Sequence, residues 1–160
     1  MTLSDQKVKR CLVVAGWTVH KGKTLLVKHK KLGMWLAPGG HIEENELPHE
    51  AAEREFFEET GVIVRAVDAL PHIEMKQSRS LPSPFYSNLH TINKHRGDSF
   101  CEQHVVFCYF VKVIDISSFS RQEEETDDLR WFTREEAMGI LTPDLQQEAA
   151  FVFDYFPSQE

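Results

Sequence analysis

The sequence predicts an α/β domain built on a mixed β-sheet, and three observations carry that expectation. Apolar, β-branched runs recur along the chain, "RCLVVAGWTVH" at 10–20 and "EQHVVFCYFVKVID" at 102–115 being the strongest. Segments with clear helix start and stop signals lie between and after them. The chain has 160 residues, 41% hydrophobic and 27% charged, enough for one sizeable core, so residues 1–160 are read as a single domain.

The elements follow in order. The run at 10–20 is nearly continuous in its apolar character, as for a strand covered on both faces. Lys21-Gly22 interrupts it and "KTLLVKHK" resumes, which predicts a hairpin through that pair. "KLGMWLAPGG" is rich in turn formers and reads as a loop delivering a helix. That helix should start at Pro48, where a missing N–H costs nothing, and end at Thr60, with Gly61 free to turn left-handed.

A strand from Val62 should leave its ladder by Pro71. Gln77 to Phe100 is long for an unstructured connection and implies a short hidden strand or a functional lid. "LRWFT" reads as a last strand before a helix near Arg134. Thr142-Pro143-Asp144 then looks like an N-cap, first-turn proline and dipole charge. Leu145, Ala149, Val152, Phe153 and Phe156 form one apolar stripe, assigned to core packing with a homodimer surface as the alternative.

A formal net charge of −7 argues against general nucleic-acid binding, which relies on clustered Lys and Arg. No apolar run approaches the roughly 20 residues of a membrane span, so a soluble cytoplasmic protein is expected. Cys11, Cys101 and Cys108 are odd in number and lack metal-finger spacing; buried reduced thiols are the expectation.

The chemistry concentrates in "GHIEENELPHEAAEREFFEETGV", residues 40–62. With about 100° of rotation per residue, Glu55, Glu58 and Glu59 project from one helix face. Ala51 and Ala52, one turn earlier, leave room for something to approach, and Phe56 suits the core better than Phe57. Like charges so spaced repel, so a compensating cation is expected, and hard divalent ions prefer such oxygen ligands.

The wider spacing is more specific than the acids alone. Gly40, Glu46, Arg54, Glu55, Glu58, Glu59 and Gly61 recur at the intervals of the signature of the Nudix hydrolases, which this segment closely resembles. At about one-in-twenty usage each, seven identities in one register arise by chance on the order of once in a billion. Trp35 to Gly40 and Leu129 to Thr133 also look like the family's surroundings.

The resemblance implies an α/β/α sandwich with a central mixed sheet and a loop-helix-loop catalytic unit. It implies hydrolysis of a diphosphate linked to another group. Glu55, Glu58 and Glu59 would bind Mg²⁺, with Mn²⁺ as a substitute, and the Gly39 carbonyl would add an oxygen. Glu46 and Arg54 would support them, Arg54 by fixing a carboxylate rotamer, while Gly40 and Gly61 shape the two ends of the unit. The chain departs from the family at Leu47, where a capping Ser or Thr is common, leaving the first N–H groups to Asn45, Glu50 or water.

A general base is assigned to Glu102, with Glu125, Asp127, Glu58 and Glu59 as alternatives. Candidate substrate contacts are His29, His41, Arg79, Tyr86, Lys94 and Arg96, the last two in a local basic stretch with His90 and His95; Phe85 and Tyr86 are candidates to stack a base, with buried packing the preferred reading of Phe85. A zinc site at His90, His95 and His104 finds no ligand spacing to support it. The partner expected is a small nucleotide or other diphosphate, with nucleoside triphosphates first and ADP-ribose or a nucleotide sugar second. Of another class are a nucleotide-sensing domain without turnover and an isoprenoid diphosphate isomerase. The residues beyond the box, Lys76-Gln77-Ser78-Arg79, match no substrate marker of the family.

Overall fold

The computed structural model describes residues 8–92, 101–120 and 126–157, with Thr126 described in its backbone alone. Among these residues the strands are β1 Arg10–Trp17, β2 Lys23–His29, β3 Trp35–Leu36, β4 Gly39–His41, β5 Ile63–Val67, β6 Tyr86–Thr91, β7 Gln103–Asp115 and β8 Thr126–Thr133. The helices are α1 Pro48–Thr60, α2 Arg134–Ile140 and α3 Pro143–Tyr155.

The strands form two sheets, one of five strands and one of three in the order β3-β2-β8. In the larger, β1 pairs in parallel with β7 and antiparallel with β4, so the sheet is mixed. The opposite edge of β7 is shared: β6 covers Gln103 to Cys108 and β5 covers Phe110 to Asp115. The strand concealed in the long connection is therefore β6.

Lys21 and Gly22, at φ 50° and 77°, make the predicted tight turn, and His20 and Lys23 exchange backbone hydrogen bonds of 2.8 and 3.1 Å. Beyond that pair the strands part into different sheets, so the expected hairpin is one bridge long. "KLGMWLAPGG" is not plain loop either: it supplies β3 against β2 and β4 against β1.

Strand alternation feeds two cores. Val14, Leu25, Tyr109 and Val111 meet α1 through Ala51, Ala52 and Phe56. Trp17, Leu26, Cys108 and Phe110 face α2 and α3 through Ala137, Leu141, Ala149 and Val152. Ala51 and Ala52 are fully buried, which corrects the expectation that they leave an approach; their small size lets α1 lie close on the sheet. The apolar stripe of α3 packs into the second core, as expected.

The cysteine expectation needs correction. Parallel pairing sets Cys11 opposite His104, three residues past Cys101, and Cys11 and Cys101 form a disulfide with Cα atoms 5.8 Å apart. Only Cys108 among the three is a free, buried thiol. Thr142 stands at the N-cap of α3 but its side chain makes no capping bond, again unlike the expectation.

The ends of α1 follow the sequence closely. Glu50 accepts the Leu47 N–H at 3.1 Å, the half of a capping box that needs no hydroxyl at position 47, and Gly61, at φ 71°, donates its N–H to the Phe57 carbonyl at 2.7 Å. A Cβ at Gly61 would fall 1.8 Å from the Ser118 carbonyl oxygen, so glycine is required there by space as well as by φ. Gly22 shares the positive φ but has open space around it. Gly22→Ala should therefore cost about 1 kcal/mol and Gly61→Ala at least about 2 kcal/mol, measured by urea unfolding. Equal losses would show that the Ser118 contact carries no weight.

Candidate active site

The site begins with the peptide groups of β4. Gly16 donates to the Pro38 carbonyl at 2.8 Å and Ile42 to the Leu12 carbonyl at 3.1 Å. In an antiparallel pair such bonds alternate, so the peptide groups of Gly39 and His41 point away from β1, toward α1. Two of those groups are used: the Gly39 N–H donates to Glu59 Oε1 at 3.3 Å, and the His41 carbonyl accepts from Arg54 Nη2 at 3.0 Å. The same alternation directs the Gly39 carbonyl to this side.

Arg54 organises the acids. Its Nε and Nη2 grip both oxygens of Glu46 at 2.7 and 3.0 Å, a bidentate pair. Nη1 reaches Glu55 Oε1 at 2.9 Å and Glu58 Oε2 at 3.2 Å. Glu46 is itself set by a turn, accepting the Glu43 N–H at 2.9 Å. The hydrogen bonds from Arg54 hold the Glu46 carboxyl below the usual carboxylate range, against its partial burial, and Glu46 and Glu55 in turn raise the guanidinium above its ordinary value.

The Glu58 side chain is 47% exposed, whereas Glu59 is buried, at 6% exposure. Gly40 explains how Glu55 fits: a Cβ there would lie 2.5 Å from the Glu55 carboxylate. The space that a side chain would fill is thus a carboxylate cradle. Hard oxygen donors from Glu55, Glu58, Glu59 and the Gly39 carbonyl on one side of α1 suit a divalent cation such as Mg²⁺.

Glu102 is not brought to this cluster. It lies just before β7, where its carboxylate accepts the Lys9 N–H at 2.8 Å. Gly40 is opposite Val14 on the far edge of β1, five residues beyond Lys9, or roughly 16 Å along the strand. The parallel register of β1 and β7 therefore sets Glu102 apart from the acids along the strand. Asp127 is in β8, and Glu125 lies outside the described residues.

Among the substrate candidates, His29 is committed to its own turn, its Nδ1 accepting the Leu32 N–H at 3.3 Å. The His41 ring lies against Cys101 and His104, while its carbonyl accepts from Arg54. Arg79 is exposed in the segment before β6, and Tyr86 is half exposed at the start of β6. Phe85 stacks on Phe110 and Phe151, the packing role preferred for it. Lys94, His95 and Arg96 lie outside the described residues.

One polar group had no warning in the sequence pattern. Glu148, within the apolar stripe of α3, accepts from Trp17 Nε1 and Asn88 Nδ2, each at 3.2 Å. Burial pushes its carboxyl up. Only the pairing of β6 with β7 puts Asn88 beside it, so no local signal could have found it.

A sequence profile of the NUDIX domain matches residues 9–156. An RNA pyrophosphohydrolase of Erythrobacter litoralis is 29% identical over 118 residues, covering 73% of this chain and 70% of that protein. A NUDIX-family hydrolase structure from Clostridium perfringens superposes with a TM-score of 0.72 at 28% identity, over 92% of this chain and 98% of its own. The MutT protein of Methanosarcina mazei Go1 shares the fold, with a TM-score of 0.65 at 17% identity over 92% and 95% of the two chains.

Glu46 gives a pH-dependent prediction. Its folded-state value is depressed, so its stabilisation is present above the unfolded value of 4.5 and is lost as pH falls through the folded one. At pH 7 Glu46→Gln should cost about 1–3 kcal/mol in urea unfolding, and the gap from wild type should shrink below that unfolded value. A gap independent of pH would remove the charge of Glu46 from the account.

Proposed function

The chain belongs to the NUDIX family, and from that premise we propose that it is a Mg²⁺-dependent hydrolase of nucleoside 5′-triphosphates or modified nucleotides, cleaving a pyrophosphate bond. The observation that carries this reading is the Arg54-held cluster of Glu46, Glu55 and Glu58, with Glu59 anchored to Gly39.

Glu55, Glu58, Glu59 and the Gly39 carbonyl are the residues that would hold the metal. When bound, Mg²⁺ would neutralise phosphate charge and lower the pKa of an attacking water. The chain's own contribution is positioning. Arg54 fixes the rotamers of Glu55 and Glu58, and Glu59 ties α1 to β4 so that the donors keep their relative places. Glu102 is held beside Lys9, and Glu58, the most exposed of the helix acids in the cluster, is the proton acceptor proposed.

An RNA 5′ end is the second substrate reading, favoured by the 29% identity to an RNA pyrophosphohydrolase. The formal net charge of −7 favours the smaller nucleotide.

A panel of nucleoside triphosphates, including oxidised ones, an RNA oligonucleotide with a 5′-triphosphate, and ADP-ribose separates these readings by product mass. Release of pyrophosphate and a nucleoside monophosphate is expected. Turnover of ADP-ribose alone would move the assignment to that class, and absence of Mg²⁺-dependent turnover throughout would leave a nucleotide-sensing domain. Glu58→Gln and Glu59→Gln should each lower kcat by at least roughly a hundredfold. Arg54→Ala should lower kcat with a smaller change in Mg²⁺ dependence than Glu58→Gln, since it removes no ligand. Near-normal turnover in both glutamine variants would overturn the metal assignment.

A further inference from the structure

A second group of ligand-type atoms gathers at the His41 ring. Sγ of Cys11, Sγ of Cys101 and a ring nitrogen of His41 all fall within 4.8 Å of one another. His41 Nε2 is 3.3 Å from the Cys101 sulfur. The His104 ring stands edge-on to His41 with centroids 5.2 Å apart, and its buried Nε2 has no hydrogen-bond partner among the described residues.

Three strands and the segment leading into one of them build this group. Cys11 is on β1, His41 on β4, and Cys101 precedes β7, whose His104 sits opposite Cys11. Its chemistry differs from that of the acidic cluster. Two sulfurs and an imidazole are soft or borderline donors, which select zinc and similar ions over Mg²⁺. Cys101 is buried and Cys11 partly so, while His41 is exposed, so the group is anchored in the sheet and open to entry on one side.

We propose that Cys11, Cys101 and His41 form a binding site for one thiophilic divalent metal ion, zinc being the type, which opens when the Cys11–Cys101 bond is reduced. A small dithiol supplies two electrons and two protons to the disulfide and is itself oxidised to its cyclic disulfide. Metal entry then releases two protons as both sulfurs become thiolates. The sulfurs part to roughly 3.7 Å, the separation of two thiolates on a tetrahedral zinc. Disulfide and metal are mutually exclusive occupants, so the site reports the redox state of the chain. This inference is independent of the proposed hydrolase chemistry.

The test uses the full chain, reduced with dithiothreitol and freed of it by anaerobic gel filtration, then titrated with Co²⁺ followed by Zn²⁺. One equivalent of Co²⁺ should give a thiolate-to-cobalt charge-transfer absorption and intense visible bands of a four-coordinate site, abolished by one equivalent of Zn²⁺. The oxidised chain should give neither, and ions on the acidic cluster cannot produce a thiolate band. Cys101→Ser should remove the band. His41→Ala, which keeps both thiols, should weaken Co²⁺ binding by more than about tenfold, with circular dichroism checking both folds. Absence of a band in the reduced chain, or wild-type affinity in either folded variant, would overturn the proposal.

Discussion

The guanidinium of Arg54 is the interaction on which the acidic cluster depends. Without it, Glu46, Glu55 and Glu58 would place three like charges together at the partly buried end of a helix, an arrangement that repulsion and desolvation both oppose. With it, each acid has a directional partner, and the cluster is preorganised before any cation arrives. The second hand of the same side chain, on the His41 carbonyl, fastens this arrangement to the sheet. One residue thus joins loop, helix and strand.

The sheet makes that geometry firm. Alternate residues of β1, β2 and β7 feed opposite cores, so neither α1 nor the α2–α3 pair can shift without disturbing strands that also support the other side. Glu53 adds a peripheral tie by accepting the Ala66 N–H at 2.9 Å, which joins α1 to β5. Glu59 adds the central one. Its carboxylate is therefore a structural acceptor for Gly39 as well as a proposed donor to a cation.

Much of this was legible in the chain because it is local. Pro48, Thr60 and Gly61 mark α1 by their own backbone preferences, and helical phase alone puts Glu55, Glu58 and Glu59 together. What escaped depends on register between distant segments. Glu102 looked close to the acids because it begins a strand, yet the parallel alignment of β7 with β1 carries it away. Cys11 and Cys101 are 90 residues apart and meet only through that same alignment. Glu148 was hidden for the opposite reason: its stripe is apolar, and its polar partners come from β1 and β6. The short β3 and β4 were masked by turn-forming residues, whose glycines serve close approach of backbone and carboxylate.

The absence of a side chain at Gly40 bears on how such a segment can vary through descent. Gly40 must remain opposite Val14 on the strand while Glu55 returns to the space beside it, fifteen residues later. One residue added within the first turns of α1 would rotate Arg54 by about 100° away from Glu46. One added in β4 would exchange the inward and outward peptide groups. From Gly40 to Glu59, then, many positions can change their identity, but the count between them cannot change. The stretch between Asp68 and Ser83 carries no such phase, so the lineage can gain and lose residues there and keep this unit intact.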